Sequence, residues 1–100
     1  MLNGRQRAQL RSMANSIDTI VQIGKNGLTE SVAAQVSEAL RARELVKGRV
    51  LDTASMTPRE AADELSRVCR AETVQVIGTR FVLYKANHEI PKDKRIKLVK

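Results

Sequence analysis

The segment Gly24-Lys25-Asn26-Gly27 is the part of the sequence whose residue types and spacing best suit a chemical role. Glycine lacks a Cβ, so two glycines let the backbone turn sharply and approach another molecule closely. Lys25 and Asn26 add a cation and an amide at the tip of the turn. A helix that begins just after such a turn presents unpaired N–H groups and a partial positive charge, which suit a phosphate. This segment, named the glycine loop (residues 24–27), is therefore predicted to bind phosphate.

The glycine loop also has a simpler interpretation, because short G-x-x-G patterns arise by chance and Asn-Gly is a common turn signal. The loop is not a nucleotide-binding P-loop, since the Gly-Lys-Ser/Thr that holds nucleotide phosphates and magnesium is absent. The pattern alone leaves open whether the loop contacts a nucleic-acid backbone or only reverses the chain.

Residues suited to catalysis or metal binding are few in this sequence. His88 is the only histidine, and it lies in a polar segment just before Pro91. Cys69 is the only cysteine, which excludes an intrachain disulfide and a cysteine-based metal site. No serine lies in a nucleophile-elbow pattern. We therefore expect a protein that is not an enzyme, with no catalytic residue, no metal site and no cofactor.

The overall composition indicates one soluble globular domain, since 42% of the 100 residues are hydrophobic and 29% are charged. No apolar run approaches the ~18 residues that a membrane span requires. The N-terminal arginines precede no apolar segment, so they do not form a secretory signal. These features predict a cytoplasmic protein with no membrane partner.

The net charge of +7 is concentrated at the two ends of the chain. Residues 1–27 carry a net +3 and residues 77–100 a net +5, whereas residues 28–76 carry −1. If the ends meet in the fold, they form one basic face on a neutral body, as expected for a nucleic-acid-binding protein. The alternative, charge that serves solubility alone, predicts a scattered distribution.

Hydrophobic periodicity predicts three helices and four strands in the order α-β-α-β-α-β-β. Strands separated by helices favour parallel pairing, and the last two strands form an antiparallel hairpin around Gly78-Thr79. Polar residues mark one side of three strands at Gln22, Lys47, Arg49 and Gln75. The predicted fold class is α/β (α+β), a single domain with a four-stranded mixed sheet and helices mainly on one face. The expected ranges are 5–15, 29–43 and 58–71 for the helices and 19–23, 45–51, 73–77 and 80–85 for the strands.

Two local features make sharper structural predictions. Gly48 interrupts the second strand, which indicates a bulge or a close contact at that position. Thr57-Pro58-Arg59-Glu60 is a capping box with proline at the first helical position, so the third helix should begin there. The residues of that helix that are predicted to face inward are Ala61, Ala62, Leu65, Val68 and Cys69.

Phe81 and Tyr84 are the only aromatic residues, which limits how a nucleic acid could be bound. Positions three apart in a strand point to opposite faces, so these two rings cannot share one base-stacking surface. This disfavours an RNA-recognition motif and an oligonucleotide-binding barrel. Recognition of the backbone and its shape remains, with cations from Arg7, Arg11, Lys85 and the lysines of the C-terminal tail.

Several stretches, taken in order, resemble one protein family over nearly the whole chain. They are Arg5-Gln6-Arg7-x-x-Leu10-Arg11, Gly24-Lys25-Asn26-Gly27-Leu28-Thr29-Glu30, Glu44-Leu45-Val46-Lys47, and Gln75-Val76-Ile77-Gly78 leading to Val82-Leu83-Tyr84-Lys85. The sequence resembles the CRM domain (chloroplast RNA splicing and ribosome maturation), most closely its bacterial stand-alone YhbY-like members. The resemblance implies a fold similar to the C-terminal domain of translation initiation factor 3 and a G-x-x-G loop similar in role to that of KH domains. Bacterial members are associated with precursors of the large ribosomal subunit, so it also implies a role in ribosome assembly.

The residues and the resemblance together predict an RNA-binding protein that assists large (50S) subunit assembly by binding structured rRNA as a monomer. The expected RNA-contacting residues are Gly24, Lys25, Asn26, Gly27, Thr29, Arg5, Arg7, Arg11 and Lys85. Residues 1–86 are expected to form the domain, and residues 87–100 a basic tail that could dock in part. The alternative is a basic adaptor that binds an acidic partner protein.

Overall fold

The computed structural model describes residues 2–100, which form three helices and four strands in the predicted order. The helices are α1 (Gly4–Ala14), α2 (Glu30–Arg43) and α3 (Pro58–Cys69). The strands are β1 (Val21–Ile23), β2 (Leu45–Val50), β3 (Glu72–Ile77) and β4 (Arg80–Tyr84). The predicted fold class is confirmed, although β1 begins two residues later than the sequence indicated. Across residues 2–100, no helix combines the length and the apolar character that a membrane span requires.

Local sequence explains where the helices begin and end. The side chains of Asn3, Thr29 and Thr57 each accept a hydrogen bond from the backbone N–H three residues later, which caps the three helices. The capping box predicted for α3 is present, with proline in its first turn. α2 and α3 end at Glu44 and Arg70, which adopt left-handed backbone conformations with φ of 64° and 56°.

The four strands form one mixed sheet in the order β1-β2-β4-β3. β1 runs parallel to β2, with Ile23 beside Val50, and β4 runs antiparallel to both β2 and β3. α2 and α3 pack on one face of the sheet, whereas α1 packs on the other. Two of the three helices therefore share a face, and α1 partly covers the face that the sequence marks as polar.

Each face of the sheet carries its own hydrophobic core. The larger core lies between the sheet and the helices α2 and α3, and it contains the fully buried ring of Phe81. The smaller core joins α1 to the sheet through Leu10 and Tyr84. In α3, four of the five residues predicted to face inward are buried, but the prediction was wrong for Val68, which is 50% exposed. The last turn of α3 presents Cys69 to α2, so Val68 points toward solvent.

The C-terminal segment packs beside α1 without forming a helix or strand. The carboxylate of Glu44, itself buried, accepts hydrogen bonds from the N–H groups of Asn87 and Ile96, each at 2.8 Å. The side chain of Gln9 in α1 donates to the Lys97 carbonyl and accepts from the Val99 N–H. The two basic ends of the chain therefore meet in the fold.

Candidate nucleic-acid interface

The glycine loop joins the carboxyl end of β1 to the start of α2 as a hydrogen-bonded turn. The Gly27 N–H donates to the Gly24 carbonyl at 3.0 Å, and Lys25 and Asn26 are exposed at the tip. Gly27 has a φ of +68°, a conformation that residues with a Cβ seldom adopt. The turn itself therefore favours glycine at position 27, whatever the loop binds.

The first turn of α2 directly follows the glycine loop. The Thr29 hydroxyl accepts a hydrogen bond from the Val32 N–H at 3.2 Å, so this predicted contact residue already serves as the helix cap. The N–H groups of Glu30 and Ser31 have no acceptor within the helix, and they carry the positive end of its dipole. The Glu30 carboxylate offsets part of that charge, which leaves Lys25 as the cation best placed to attract a phosphate.

Three connections share one end of the sheet, here called the loop edge. The glycine loop and the segment after β2 are held together by a 2.8 Å hydrogen bond from the Leu51 N–H to the Ile23 carbonyl. The β3–β4 turn joins them through a bond from the Val50 N–H to the Thr79 carbonyl, also 2.8 Å long. Backbone hydrogen bonds thus join the glycine loop to the other two connections of the loop edge.

Arg7 of α1 lies at the far corner of the sheet from the glycine loop. Arg5 and Arg11 are exposed, whereas Arg7 is half-buried and donates through Nη1 to the Thr73 carbonyl at 2.6 Å. In the sheet register, Thr73 lies three strands away from Ile23 and four residues further from the loop edge. Strand spacings of about 4.8 Å and rises of about 3.3 Å per residue put these corners on the order of 20 Å apart. The fold makes them two ends of one surface, not one pocket.

Lys85 lies outside this surface. It follows Tyr84, which pairs with Leu45 at the end of the sheet opposite the loop edge. Together with Ser37 and Arg41 of α2, it lines a pocket of about 300 Å³ on the other face of the sheet. The fold therefore does not bring Lys85 together with α1 or with the glycine loop.

A family model described as the CRS1 / YhbY (CRM) domain matches residues 2–85. This chain belongs to the CRM-domain family. The resemblance stated from the sequence is thereby confirmed, and the match includes the glycine loop and all of α1.

Relatives of this CRM domain come from bacteria and archaea. The chain is 40% identical to "Probable RNA-binding protein YqeI" of Bacillus subtilis, over 89% of this chain and 93% of that protein. It is 34% identical to a protein of Haemophilus influenzae named "RNA-binding protein", over 88% of this chain and 89% of that one. A solution structure of a hypothetical Staphylococcus aureus protein, described as a candidate RNA-binding protein, matches with a TM-score of 0.76 and 40% identity. That likeness covers 99% of this chain and 100% of the Staphylococcus chain.

This CRM domain also has an open polar face on the sheet, which sequence reasoning noted without assigning it to a site. Gln22, Arg49 and Arg80 lie side by side on neighbouring strands and point to the α1 side. Arg80 is not among the residues that the sequence singled out. The alternation of side chains along β4 predicts that Arg80 lies on the partly solvent-exposed face of the sheet.

Burial raises the pKa values of two core side chains of the CRM domain, Cys69 and Tyr84. Burial raises the pKa of the Cys69 thiol, which the nearby charge of Lys85 partly opposes. Burial and the charges of Glu44 and Glu72 raise the pKa of the Tyr84 phenol. Both groups therefore stay protonated at neutral pH.

Among residues 2–100, no three His, Cys, Asp or Glu side chains come together in a group that could hold a metal ion.

Proposed function

We propose that this CRM domain binds RNA through its backbone phosphates. The glycine loop and the first turn of α2 contact one phosphate, and Arg5, Arg7 and Arg11 of α1 contact others. The observation that carries this proposal is the exposed turn at Lys25 and Asn26, which leads directly into unpaired N–H groups of α2. The names of the relatives support RNA as the ligand.

The finer proposal is structured rRNA in precursors of the large ribosomal subunit. The protein then acts in the cytoplasm as a monomeric, non-enzymatic assembly factor. A folded RNA suits the site because it presents phosphates at fixed separations, as the two corners of this surface require. Both aromatic rings are buried, at 0% and 6% exposure for Phe81 and Tyr84, which supports recognition of shape and backbone over base stacking. Lys85 has no part in the proposal.

The test compares Gly27→Asp with Gly27→Asn. Asparagine and aspartate are the side chains that best tolerate a positive φ, and no atom lies within 4 Å of a Cβ placed on Gly27. The two variants should unfold at similar temperatures. Binding to a folded fragment of large-subunit rRNA should weaken about tenfold or more for the aspartate variant alone, because its carboxylate repels phosphate.

Two outcomes would contradict the proposal. Wild-type affinity in both variants would remove the glycine loop from the RNA site. Tighter binding of polyglutamate than of rRNA at matched ionic strength would favour the acidic protein partner instead.

A further inference from the structure

Two arginines face each other across the two central strands of the sheet, near the loop edge. Arg49 of β2 lies directly opposite Arg80 of β4. Gln22 continues this row on one side and Ile77 on the other. Paired residues in a sheet point to the same face, so the four side chains lie on the α1 side, where Arg80 and Gln22 are exposed.

The charge of this pair is uncompensated in the free protein. Like charges directly opposite each other destabilise a sheet, since their Cβ atoms are only about 5 Å apart. Within residues 2–100, the ion pairs closer than 4.0 Å are Arg59–Asp63 and Arg67–Glu64, both on α3. No carboxylate in that part of the chain therefore pairs with Arg49 or Arg80.

The neighbouring Lys47 shows what compensation looks like on the same face. Its Nζ donates to the Ala14 carbonyl at 2.9 Å and lies 3.4 Å from the Ile17 carbonyl oxygen, at the C-terminal end of α1. The negative end of the helix dipole thus stabilises this cation. Within residues 2–100, Arg49, two residues further along β2, has no such partner.

Arg49 carries a second sign of a missing ligand. Its Nε is buried, and within residues 2–100 it has no hydrogen-bond partner. Buried donors are nearly always paired in folded proteins, because an unpaired one loses its water without replacement. Because this Nε does not contact solvent, a phosphate would reach it only after the guanidinium turns outward, and its oxygens could then accept two parallel N–H bonds.

A groove of about 420 Å³ adjoins Arg80, between the end of α1 and the sheet, and Arg49 lies beside Arg80 outside its lining. Arg80, Gln75 and the 62% exposed Ile77 line its sheet side. Asn15 and Asp18 line its α1 side, and the Asp18 carboxylate opposes anions there. The groove thus offers amides and an apolar surface beside a cationic end, which fits a nucleoside attached to a phosphate.

We propose that the Arg49–Arg80 pair holds one RNA backbone phosphate, while the groove holds the adjoining unpaired nucleotide. This inference rests on the proposed function, because it takes the ligand to be RNA. The pair lies between the glycine loop and the arginines of α1, so it provides the middle contact of a continuous path across the sheet.

The test is the double variant Arg49→Gln/Arg80→Gln, with Arg59→Gln/Arg67→Gln as its control. Both lose two positive charges, but the control positions lie on α3, on the opposite face. The probes are a mixed-sequence single-stranded RNA of twelve nucleotides and the folded large-subunit rRNA fragment. The first variant should bind both RNAs about tenfold or more weakly, and its slope of log affinity against log salt should shrink by roughly 0.7–0.9 for each lost phosphate contact. The control should match the wild type within about twofold.

Thermal unfolding keeps this result interpretable. Removing two opposed charges should leave the melting temperature unchanged or raise it, so weaker binding cannot come from a damaged fold. Ile77→Ala tests the groove separately: affinity for the single-stranded RNA should fall while the salt slope stays constant, because no charge is lost.

The outcomes separate this inference from the proposed function. Equal binding by the Arg49/Arg80 variant and its control, with binding still lost in Gly27→Asp, would overturn the arginine site and leave the glycine loop intact. Loss in the Arg49/Arg80 variant with normal binding by Gly27→Asp would support the arginine site and reject the loop. A wild-type protein that binds neither RNA would overturn both.

Discussion

The ring of Phe81 lies against the backbone of Gly48, in the space that any larger residue would need for its Cβ. A Cβ at position 48 would lie 2.7 Å from Phe81 Cε1 and 2.8 Å from Cε2, closer than real carbon atoms approach. Because the ring is fully buried between the sheet and two helices, it cannot move aside. The close contact that the sequence indicated at Gly48 is therefore confirmed.

Gly48→Ala should lower the free energy of unfolding by about 3 kcal/mol, because an overpacked core must displace its neighbours. Urea denaturation measures this change, with Gly4→Ala as the control, since no atom lies within 4 Å of a Cβ on that residue. Adding Phe81→Leu to Gly48→Ala should recover part of the loss. A Gly48→Ala protein as stable as the wild type would contradict the packing argument.

Substitutions of Arg7 and Arg11 should distinguish a structural role from an RNA-binding role on the same helix. Arg7→Ala removes the bond to the Thr73 carbonyl, so it should lower the free energy of unfolding by about 1–2 kcal/mol and also weaken RNA binding. Arg11→Ala, at an exposed position, should weaken RNA binding with little change in stability. Thermal denaturation and filter binding measure the two effects. Equal stability of the two variants would remove the structural role of Arg7.

Glu44 should hold the C-terminal segment onto the domain. Glu44→Gln replaces one carboxylate oxygen with an amide that cannot accept from Asn87 or Ile96, so one buried N–H loses its partner. We expect a loss of about 1–3 kcal/mol in the free energy of unfolding and faster hydrogen exchange at the amide that loses its partner. Glu89→Gln, at an exposed position, is the control. Unchanged exchange in Glu44→Gln would show that the segment is held by other contacts.

Cys69 should make stability depend on alkaline pH. Because burial raises the pKa of its thiol in the folded state, the neutral thiol stabilises the fold fully below the unfolded pKa. That contribution is lost as the pH rises through the folded pKa. Urea unfolding at pH 7 and pH 10 should show a smaller decrease in stability for Cys69→Ala than for the wild type. Tyr84 adds a decrease of the same sign, since its pKa is also raised, so the comparison is repeated in Tyr84→Phe. An identical decrease with and without Cys69 would rule out the thiol as a source.

The sequence by itself determined the elements and their local chemistry. The caps at Thr29 and Thr57, the polar sides of the strands and the turn at Gly27 depend on residues only a few positions apart. Backbone conformation and side-chain periodicity act over that range, so these local features can be predicted from the sequence without knowledge of the fold. The opposite faces of Phe81 and Tyr84 follow from the same alternation.

Only the tertiary structure decided which of these features lie together. In the fold, α1 lies on the sheet face opposite the other two helices. Arg7 and the glycine loop lie at different corners of the sheet, and Lys85 lies near neither of them. The fold also sets Arg49 opposite Arg80, because strand register depends on packing between segments distant in the chain. Glu44 likewise gained its role from the segment that folds back over it. Such pairings are set by the packing of the whole domain, which no local pattern of residues records.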